Sequence, residues 1–393
     1  MPGKVFIRAA QAVGALALLA AAAAIAGMIR VPLDQTKALA TPAGADFSDV
    51  LRYVFVPSRT AATVTVIDRN SDTVVGVVNP GLVPAQVIVS EATGMLAASD
   101  GATRRLAIFN LANGRSSGID LDFTPQRLVG TTDGYMVAVA DLSAGIVAFV
   151  ELMRKREVSR VTGLSAIRDL MFGSDGAFFY VATEGSRGIG VIDVARGKLI
   201  AEISMPHLRS GDVTGLTRAP NGRIGYVKAR GGGASLVDLS NFRMLHQVDV
   251  ARGAAKAFPT GYGGYLVMPD NAERTVSVMS STSLSVAAMF KGPADVAAVY
   301  SGWFDTIVLI PGRSDQKLLV YDLDRLSIAA EIALPGRPGL GAVTADGAKF
   351  YLALEDAGAV VVFDLKTRQL AGTIPVGPNP GAAIMARSFD ICH

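Results

Sequence analysis

The chain has 393 residues, of which 50% are hydrophobic and 18% charged, with 42 glycines and a formal net charge of +3. This composition excludes a disordered chain and favours many short buried strands joined by tight turns. The small net charge, without a concentrated basic stripe or a recognition motif, excludes a typical nucleic-acid-binding protein.

The N-terminal segment predicts export from the cytoplasm. Lys4 and Arg8 precede an uncharged run, residues 12–29, which spans about 27 Å as a helix. The run nearly matches a hydrocarbon core of roughly 30 Å, but an alanine-rich run is only moderately apolar. Residues 1–29 are therefore predicted to be either an uncleaved signal-anchor helix or a cleaved signal peptide. Both place the body in the periplasm or another extracytoplasmic space, and residues 30–50 predict a linker.

Eight similar strands recur along the chain at intervals of 41 to 45 residues. In TVTVID (63–68), valine alternates with threonine, which is the period of a β-strand. In several repeats, a strand with an aromatic start, such as FYLALED from Phe350, comes before the recurring strand. An outer strand such as TVVGVV (73–78) comes after it. The recurring strands end at Asp68, Asn110, Glu151, Asp193, Asp238, Ser280, Asp322 and Asp364.

A fourth strand of small residues completes each repeat, as in AQVIVS (85–90) and ADVAAV (294–299). Four strands in about 42 residues is the pattern of a β-propeller blade, whose strands are named A to D from the axis outward. The sequence thus predicts an all-β fold, a single eight-bladed β-propeller over residues 51–388, followed by a tail, 389–393. The first blade lacks its A strand, so the spare strand 381–386 is predicted to close the ring there.

The segments YVFV…TVTVIDRNSDTVVGVV and VVVFDLKTRQLAGTIPVGPNP resemble the YVTN-repeat family of extracytoplasmic β-propellers. The resemblance spans about residues 50–387, and it is strong in blades 1, 4 and 8 but weak in blades 3 and 6. Blade 6 has Ser280 where the family prefers aspartate. The resemblance implies a fold related to the haem-binding propeller of cytochrome cd1 nitrite reductase and to the large subunit of methylamine dehydrogenase. It carries over neither covalent cofactor attachment nor a catalytic motif.

Ligand sites on propellers usually lie on the face with the D–A and B–C loops. On that face the starts of the A strands surround the channel mouth, at Gln86, Arg127, Arg168, Asp212, Lys256, Asp295, Arg337 and Asn379. Four basic and two acidic residues predict an electropositive mouth that suits an anionic group. The alternative is that these residues are polar only because water fills the channel.

The candidate ligand-binding residues are therefore Arg127, Arg168, Lys256 and Arg337, together with His207 in the longest interval. His207 is a candidate base or axial ligand, or else an ordinary surface histidine. No catalytic residue and no cofactor is identified by the sequence.

Two further groups have metal-ligating side chains. Cys392 and His393 end the chain, and a thiol, an imidazole and a carboxylate together predict a soft-metal site, although terminal residues usually fray. The aspartates that end five of the recurring strands are predicted to accept turn N–H groups rather than to bind calcium.

The sequence favours a noncatalytic binding or scaffold module for a protein partner at the membrane surface or for an anionic ligand. The alternative is a cofactor-binding or accessory subunit of a periplasmic oxidoreductase, amine dehydrogenase-like or haem d1-like. A lactonase-type hydrolase is a second alternative, which is disfavoured because acidic and histidine candidates do not cluster at the mouth.

Overall fold

The computed structural model describes residues 45–230, 233–248 and 256–386, and these residues form 31 β-strands and one short 3-10 helix, Val50–Arg52. The strands make eight antiparallel sheets in chain order; the first has three strands and the other seven have four. The predicted all-β, eight-bladed propeller with four-stranded blades is confirmed. The apolar segment 12–29 and the tail 389–393 lie outside the described residues. Within the described ranges, no helix has the length and apolar character needed to cross a bilayer.

The strands of the first four blades begin with the three of blade 1 and continue in sets of four. In chain order they are β1 (Tyr53–Pro57), β2 (Val64–Asp68), β3 (Thr73–Val78), β4 (Gln86–Ser90), β5 (Met95–Ser99), β6 (Arg105–Asn110), β7 (Ser116–Asp120), β8 (Arg127–Gly130), β9 (Met136–Asp141), β10 (Ile146–Glu151), β11 (Arg156–Val161), β12 (Ile167–Phe172), β13 (Phe178–Thr183), β14 (Gly188–Asp193) and β15 (Lys198–Ser204).

Blades 5 to 8 follow with four strands each. They are β16 (Val213–Arg218), β17 (Ile224–Ala229), β18 (Ala234–Asp238), β19 (Arg243–Val248), β20 (Phe258–Pro259), β21 (Tyr265–Asp270), β22 (Thr275–Ser280), β23 (Val286–Lys291), β24 (Tyr300–Gly302), β25 (Ile307–Gly312), β26 (Lys317–Asp322), β27 (Ser327–Ala333), β28 (Pro338–Val343), β29 (Lys349–Leu354), β30 (Ala359–Asp364) and β31 (Gln369–Pro375).

The hydrophobic core is divided among the gaps between blades. Eight clusters of buried side chains occur in the described residues, one between each pair of neighbouring blades. The A strands of neighbouring blades contact one another, as β12 and β16 do. The D strands are the exposed rim, where β27 alternates between exposed and half-buried side chains. Because every blade buries apolar side chains against both neighbours, stability depends on a complete ring.

The ring is closed by the C-terminal segment that the sequence predicts for this role. Ile384 N donates to Phe55 O at 2.9 Å, and Phe55 N donates to Ile384 O at 2.8 Å. Farther along, Gly381 N donates to Pro57 O at 3.1 Å. These bonds supply the missing A strand of blade 1 beside β1, so the first and last parts of the chain share one sheet.

One predicted strand is wrong. Residues 294–299 are not a strand, and the A strand of blade 7 begins only at Tyr300. Asp295 has a positive φ of 57°, which a strand does not allow. Side chains also take backbone N–H groups that a ladder would use, since Ala294 N donates to Asp315 and Val296 N to Asn271.

The segment just before β1 belongs to the packed body. Phe47 is buried and meets Tyr53 edge to face, with ring centroids 5.4 Å apart. Phe47 N also donates to Leu111 O at 2.9 Å. The part of the predicted linker that the structure describes, residues 45–50, therefore contributes a core side chain between blades 1 and 2.

The C–D turns use the aspartates that end the recurring strands. Thr367 N donates to Asp364 Oδ1 at 2.7 Å, and this backbone bond lowers the pKa of the carboxyl. At Asp238, hydrogen bonds from the side chains of Asn241 and Arg223 lower the pKa. Asp68, Asp193 and Asp322 likewise accept backbone N–H groups of their turns. These aspartates are turn residues, as predicted.

The A–B turn of blade 7 has an unusual backbone. The corresponding turns of other blades end in a glycine with positive φ, such as Gly347 at 65°. In blade 7, Trp303, Phe304 and Asp305 all have positive φ, between 48° and 58°. Such a conformation costs an ordinary L-residue roughly 1–2 kcal/mol. The turn is held from blade 8, because Trp303 N donates to Gly347 O at 2.9 Å.

Replacing Ile384 with proline tests the ring closure. Ile384→Pro removes the N–H that pairs with Phe55 O, whereas Ile384→Ala removes most of the side chain but keeps that N–H. We expect the proline variant to be less stable than the alanine variant by about 1–3 kcal/mol, measured by urea denaturation. Equal stability of the two variants would show that the closing bonds are dispensable.

The turn aspartates predict a loss of stability in acid. The carboxyl pKa values of Asp68, Asp238, Asp322 and Asp364 are lower in the folded protein than the ordinary value of about 3.9, so the contribution of these four groups is complete above that value. It is lost as the pH falls through the folded pKa. Urea midpoints measured between pH 7 and pH 2.5 should therefore fall in acid, and Asp364→Asn should show a smaller fall and a lower midpoint at pH 7. An unchanged pH dependence in this variant would contradict the role of Asp364.

Candidate functional site

The upper face, which carries the D–A and B–C loops, brings a D–A position and a B–C position together in blades 7, 8 and 1. Glu355 N donates to Arg337 O at 2.8 Å in blade 8, and Arg313 N donates to Asp295 O at 3.2 Å in blade 7. Arg59 N donates to Asn379 O at 2.9 Å in blade 1. The predicted mouth residues Asp295, Arg337 and Asn379 therefore lie directly beside the start of a B–C loop.

Three arginines from three blades surround the Glu355 carboxylate. Arg59 Nη1 lies 3.0 Å from Glu355 Oε1, across the seam between the first and last blades. Arg313 Nη2 contacts both carboxylate oxygens at 3.0 and 3.1 Å, and Arg337 Nε lies 3.7 Å away. The Glu355 side chain is only 10% exposed, so these pairs are poorly screened by water.

Asp295 extends this group into the arginine cluster, defined as Arg59, Arg313, Arg337, Asp295 and Glu355. Asp295 Oδ2 lies 3.7 Å from Arg313 Nε and 4.0 Å from Arg337 Nη2. Outside the cluster, Asp356 accepts the backbone N–H of Arg337 at 2.6 Å. The cluster itself has three cations and two carboxylates, and it spans blades 7, 8 and 1.

The arginine cluster has more donors than its carboxylates accept. A guanidinium has five N–H groups and a carboxylate about four acceptor positions, so roughly fifteen donors face eight acceptors. The Arg59 and Arg337 side chains are 44% and 49% exposed, whereas that of Arg313 is 18% exposed. Two arginines can therefore reach a ligand while the third is held in place.

Two other predicted residues, Arg168 of blade 4 and Lys256 at the start of blade 6, each have a carboxylate partner in blade 4. Arg168 Nη2 lies 2.6 Å from Glu184 Oε1 in blade 4. Lys256 Nζ lies 3.6 Å from Asp169 Oδ2, and Asp169 also accepts Leu216 N at 2.8 Å. Their positive charges are thus partly neutralised.

The structure does not bring Arg127 or His207 to the arginine cluster. Arg127 begins β8 of blade 3, is exposed, and has no ion-pair partner among the described residues. His207 lies 3.2 Å from Ser235 Oγ on β18, the third strand from the axis. His207 is thus beside the outer half of blade 5, and its role as a base or axial ligand stays a prediction.

A further cation lies toward the other end of the channel wall. Arg218, the last residue of β16, donates to Thr132 Oγ1 at 3.0 Å and to Phe172 O at 3.4 Å. Burial lowers the pKa of its guanidinium. Arg218 links blade 5 to blades 3 and 4 and is a structural contact of the ring.

Sequence reasoning identified only part of the arginine cluster. It singled out Arg337 and named Asp295, but it missed Arg59, Arg313 and Glu355. Each of these three precedes by nine residues the aspartate that ends the recurring strand of its blade. The fixed nine-residue distance to these aspartates is therefore the sequence signal for Arg59, Arg313 and Glu355. The positions of the A strands do not reveal it.

The described residues contain no group of three or more side chains that could hold a metal ion. The predicted soft-metal pair, Cys392 and His393, lies outside the described residues. Only two histidines are described, and His246 lies on β19, the outermost strand of blade 5.

Among solved structures, the dihydro-haem d1 dehydrogenase NirN in complex with DHE is similar to this chain with a TM-score of 0.72 and 14% identity, over 86% of this chain and 76% of that one. The chain has the same fold as this dehydrogenase. Apo AztD from Citrobacter koseri matches with a TM-score of 0.65 and 13% identity, over 84% and 97% of the two chains. Hydrazine synthase of Kuenenia stuttgartiensis matches with a TM-score of 0.51 and 16% identity, over 65% and 87%.

No protein-family profile and no curated protein sequence matches the chain. At 13 to 16% identity, the structural likeness concerns the fold alone. Membership of the YVTN-repeat family therefore stays a resemblance of sequence pattern.

Replacing Glu355 tests the arginine cluster. Glu355→Gln leaves the poorly exposed Arg313 without its closest carboxylate, so we expect a loss of about 1–3 kcal/mol in unfolding free energy. Glu331→Gln is the matched control, because Glu331 pairs with Lys317 at 3.1 Å with both side chains half exposed. Its loss should be about 0–1 kcal/mol. Equal losses in chemical denaturation would contradict a structural role for Glu355.

Proposed function

We propose that this propeller is a noncatalytic binding module whose upper face holds an anionic group, either a small carboxylate ligand or an acidic segment of a partner protein. The observation that carries the proposal is the arginine cluster, with its excess of N–H donors. Arginine binds carboxylates through two parallel hydrogen bonds, which gives both strength and orientation.

The arrangement of the cluster supports a preformed site. Glu355 holds Arg313 by two contacts near 3.0 Å, so little side-chain freedom is lost when a ligand arrives. Arg59 and Arg337 flank it with half-exposed guanidiniums. A carboxylate between these two arginines would exchange water for charge-assisted hydrogen bonds without rearranging the backbone.

The module is proposed to act outside the cytoplasm, at a membrane surface. This rests on the N-terminal sequence, in which Lys4 and Arg8 precede the apolar run 12–29. A protein partner on the upper face would then approach from the side of the D–A and B–C loops.

A second candidate function is a cofactor-binding or accessory subunit of a periplasmic oxidoreductase. The observation that favours it is the shared fold with a dihydro-haem d1 dehydrogenase solved in complex with DHE. Haem-type cofactors carry carboxylates that suit Arg59 and Arg337. The described residues do not offer an iron ligand of histidine type at the cluster, since His207 contacts β18 and His246 lies on β19. The described residues therefore fit the anionic groups of such a cofactor but place no histidine at the cluster for its metal.

Alanine variants test the anionic site with defined probes. Isothermal titration of the full-length protein with citrate and with a hexa-aspartate peptide should show binding that weakens as salt is added. Arg59→Ala with Arg337→Ala should weaken it by about 1–3 kcal/mol, or roughly 5- to 150-fold. Both arginines are half exposed, and Arg313 still pairs with Glu355 in this variant.

The matched control is Arg127→Ala with Arg168→Ala, which removes two upper-face cations away from the arginine cluster. This variant should bind the same probes within about twofold of the wild type, since long-range attraction alone is largely screened at physiological salt. A larger loss in the control than in the cluster variant would move the site to blades 3 and 4. Equal affinity in all three proteins would contradict the proposed function.

A further inference from the structure

The lower face, which carries the A–B and C–D turns, exposes large aromatic side chains at the tips of its A–B turns. Tyr135 of blade 3, Tyr262 of blade 6 and Phe304 of blade 7 are 52%, 62% and 60% exposed. Trp303 lies beside Phe304, with ring centroids 5.3 Å apart, and is itself half-buried against the core between blades 7 and 8. Exposed apolar groups gathered on one surface mark a site of contact with another molecule or with a membrane.

The turns themselves do not require these aromatic residues. Blades 4, 5 and 8 connect their A and B strands through the polar pairs Asp175–Gly176, Asn221–Gly222 and Asp346–Gly347. Glycine adopts the positive φ of such turns without a steric penalty, and the polar residue before it stays in water. Folding alone would therefore be satisfied by a polar turn in blade 7.

The aromatic turns of blades 6 and 7 are instead fixed side by side. Asp305 Oδ1 accepts Gly261 N at 2.9 Å, and Asp305 Oδ2 accepts Tyr262 N at 2.7 Å. The carboxylate of the blade 7 turn thus binds the blade 6 turn and fixes the two turns together. Tyr262 and Phe304 are exposed on these joined turns. A fixed, exposed aromatic pair loses little conformational entropy when it inserts into another phase.

The described chain begins on this same face. Phe47 N donates to Leu111 O, which lies in the C–D turn of blade 2, and Ser48 Cβ lies 3.6 Å from the position of a Cβ on Gly94, in the A–B turn. The first described residues, which follow the apolar run 12–29 in the sequence, therefore lie at the lower face.

Basic side chains form the outer layer of the C–D turns on this face. The Arg154 and Arg196 side chains are 68% and 74% exposed, whereas those of their partners Glu151 and Asp193 are 23% and 14% exposed. In blade 8, Lys366 Nζ lies 5.7 Å from the centre of the Trp303 ring. Outward cations beside aromatic side chains are complementary to the anionic headgroups and interfacial zone of a bilayer.

We propose that the lower face docks on an anionic phospholipid surface, with Tyr262, Trp303 and Phe304 in the headgroup region and the basic C–D turns on the lipid phosphates. The proposal rests on the proposed membrane location, because the apolar run 12–29 would hold this face near the bilayer. The arginine cluster on the opposite face is then directed away from the membrane.

Trp303 is the only tryptophan of the chain, so its fluorescence reports directly on this contact. The test uses full-length protein in vesicles of phosphatidylcholine and phosphatidylglycerol, with and without brominated acyl chains. Docking predicts a blue-shifted emission that falls on the order of twofold with brominated lipid, because interfacial tryptophan lies within reach of the acyl chains. Tyr262→Ser with Phe304→Ser should remove most of this quenching.

The control moves the probe to the upper face. In Trp303→Phe with Thr60→Trp, the new tryptophan lies in the exposed B–C loop of blade 1 and should be quenched by acrylamide in water and not by brominated lipid. Equal lipid quenching at both positions, or none at Trp303 in protein that floats with the vesicles, would overturn the docking. Protein that does not float with the vesicles would instead refute the membrane location on which the proposal rests.

Discussion

Closure of the ring between Phe55 and Ile384 is the constraint on which the rest of the structure depends. Each blade buries its apolar side chains only against its neighbours, and the closing segment packs against two of the core clusters, those between blades 8 and 1 and between blades 1 and 2. The closing segment packs into the gap between blades 8 and 1 through Ala383 and Met385, which are both buried. Two backbone bonds therefore control far more buried area than their own energy suggests.

Arg59 belongs to the arginine cluster only because the ring closes. Arg59 and Glu355 are about 300 residues apart in sequence, and they meet across the seam at 3.0 Å. Gly381 of the closing segment lies under Arg59, where a Cβ would be 2.5 Å from its Nε atom. A side chain there would displace the guanidinium, so the seam shapes the proposed site as well as the fold. Binding between these arginines would in turn favour the closed ring.

The fold was largely predictable because a blade is a local pattern of alternating residues and turns, repeated eight times. The strand 73–78 agrees with β3 residue for residue. The strand at 294–299 failed because side chains of Asn271 and Asp315, from other loops, take its N–H groups. The site was less predictable for the same reason. Arg313 and Glu355 form the site only through contacts between neighbouring blades, and such contacts produce no periodic pattern in the sequence.

The two faces of the ring use charged residues in opposite ways. On the lower face, carboxylates such as Asp238 and Asp364 accept the N–H groups of their own turns. Their lowered pKa values mean that these carboxylates stay charged while they accept those bonds. On the upper face, Glu355 orders arginines that keep spare donors toward water. Carboxylate groups therefore accept the N–H groups of the turns on the lower face. On the upper face they hold arginines that still have N–H donors available to an anion. If the proposed docking and binding are both correct, a rigid ring that separates these two surfaces would let one of them face a membrane while the other binds its anionic partner.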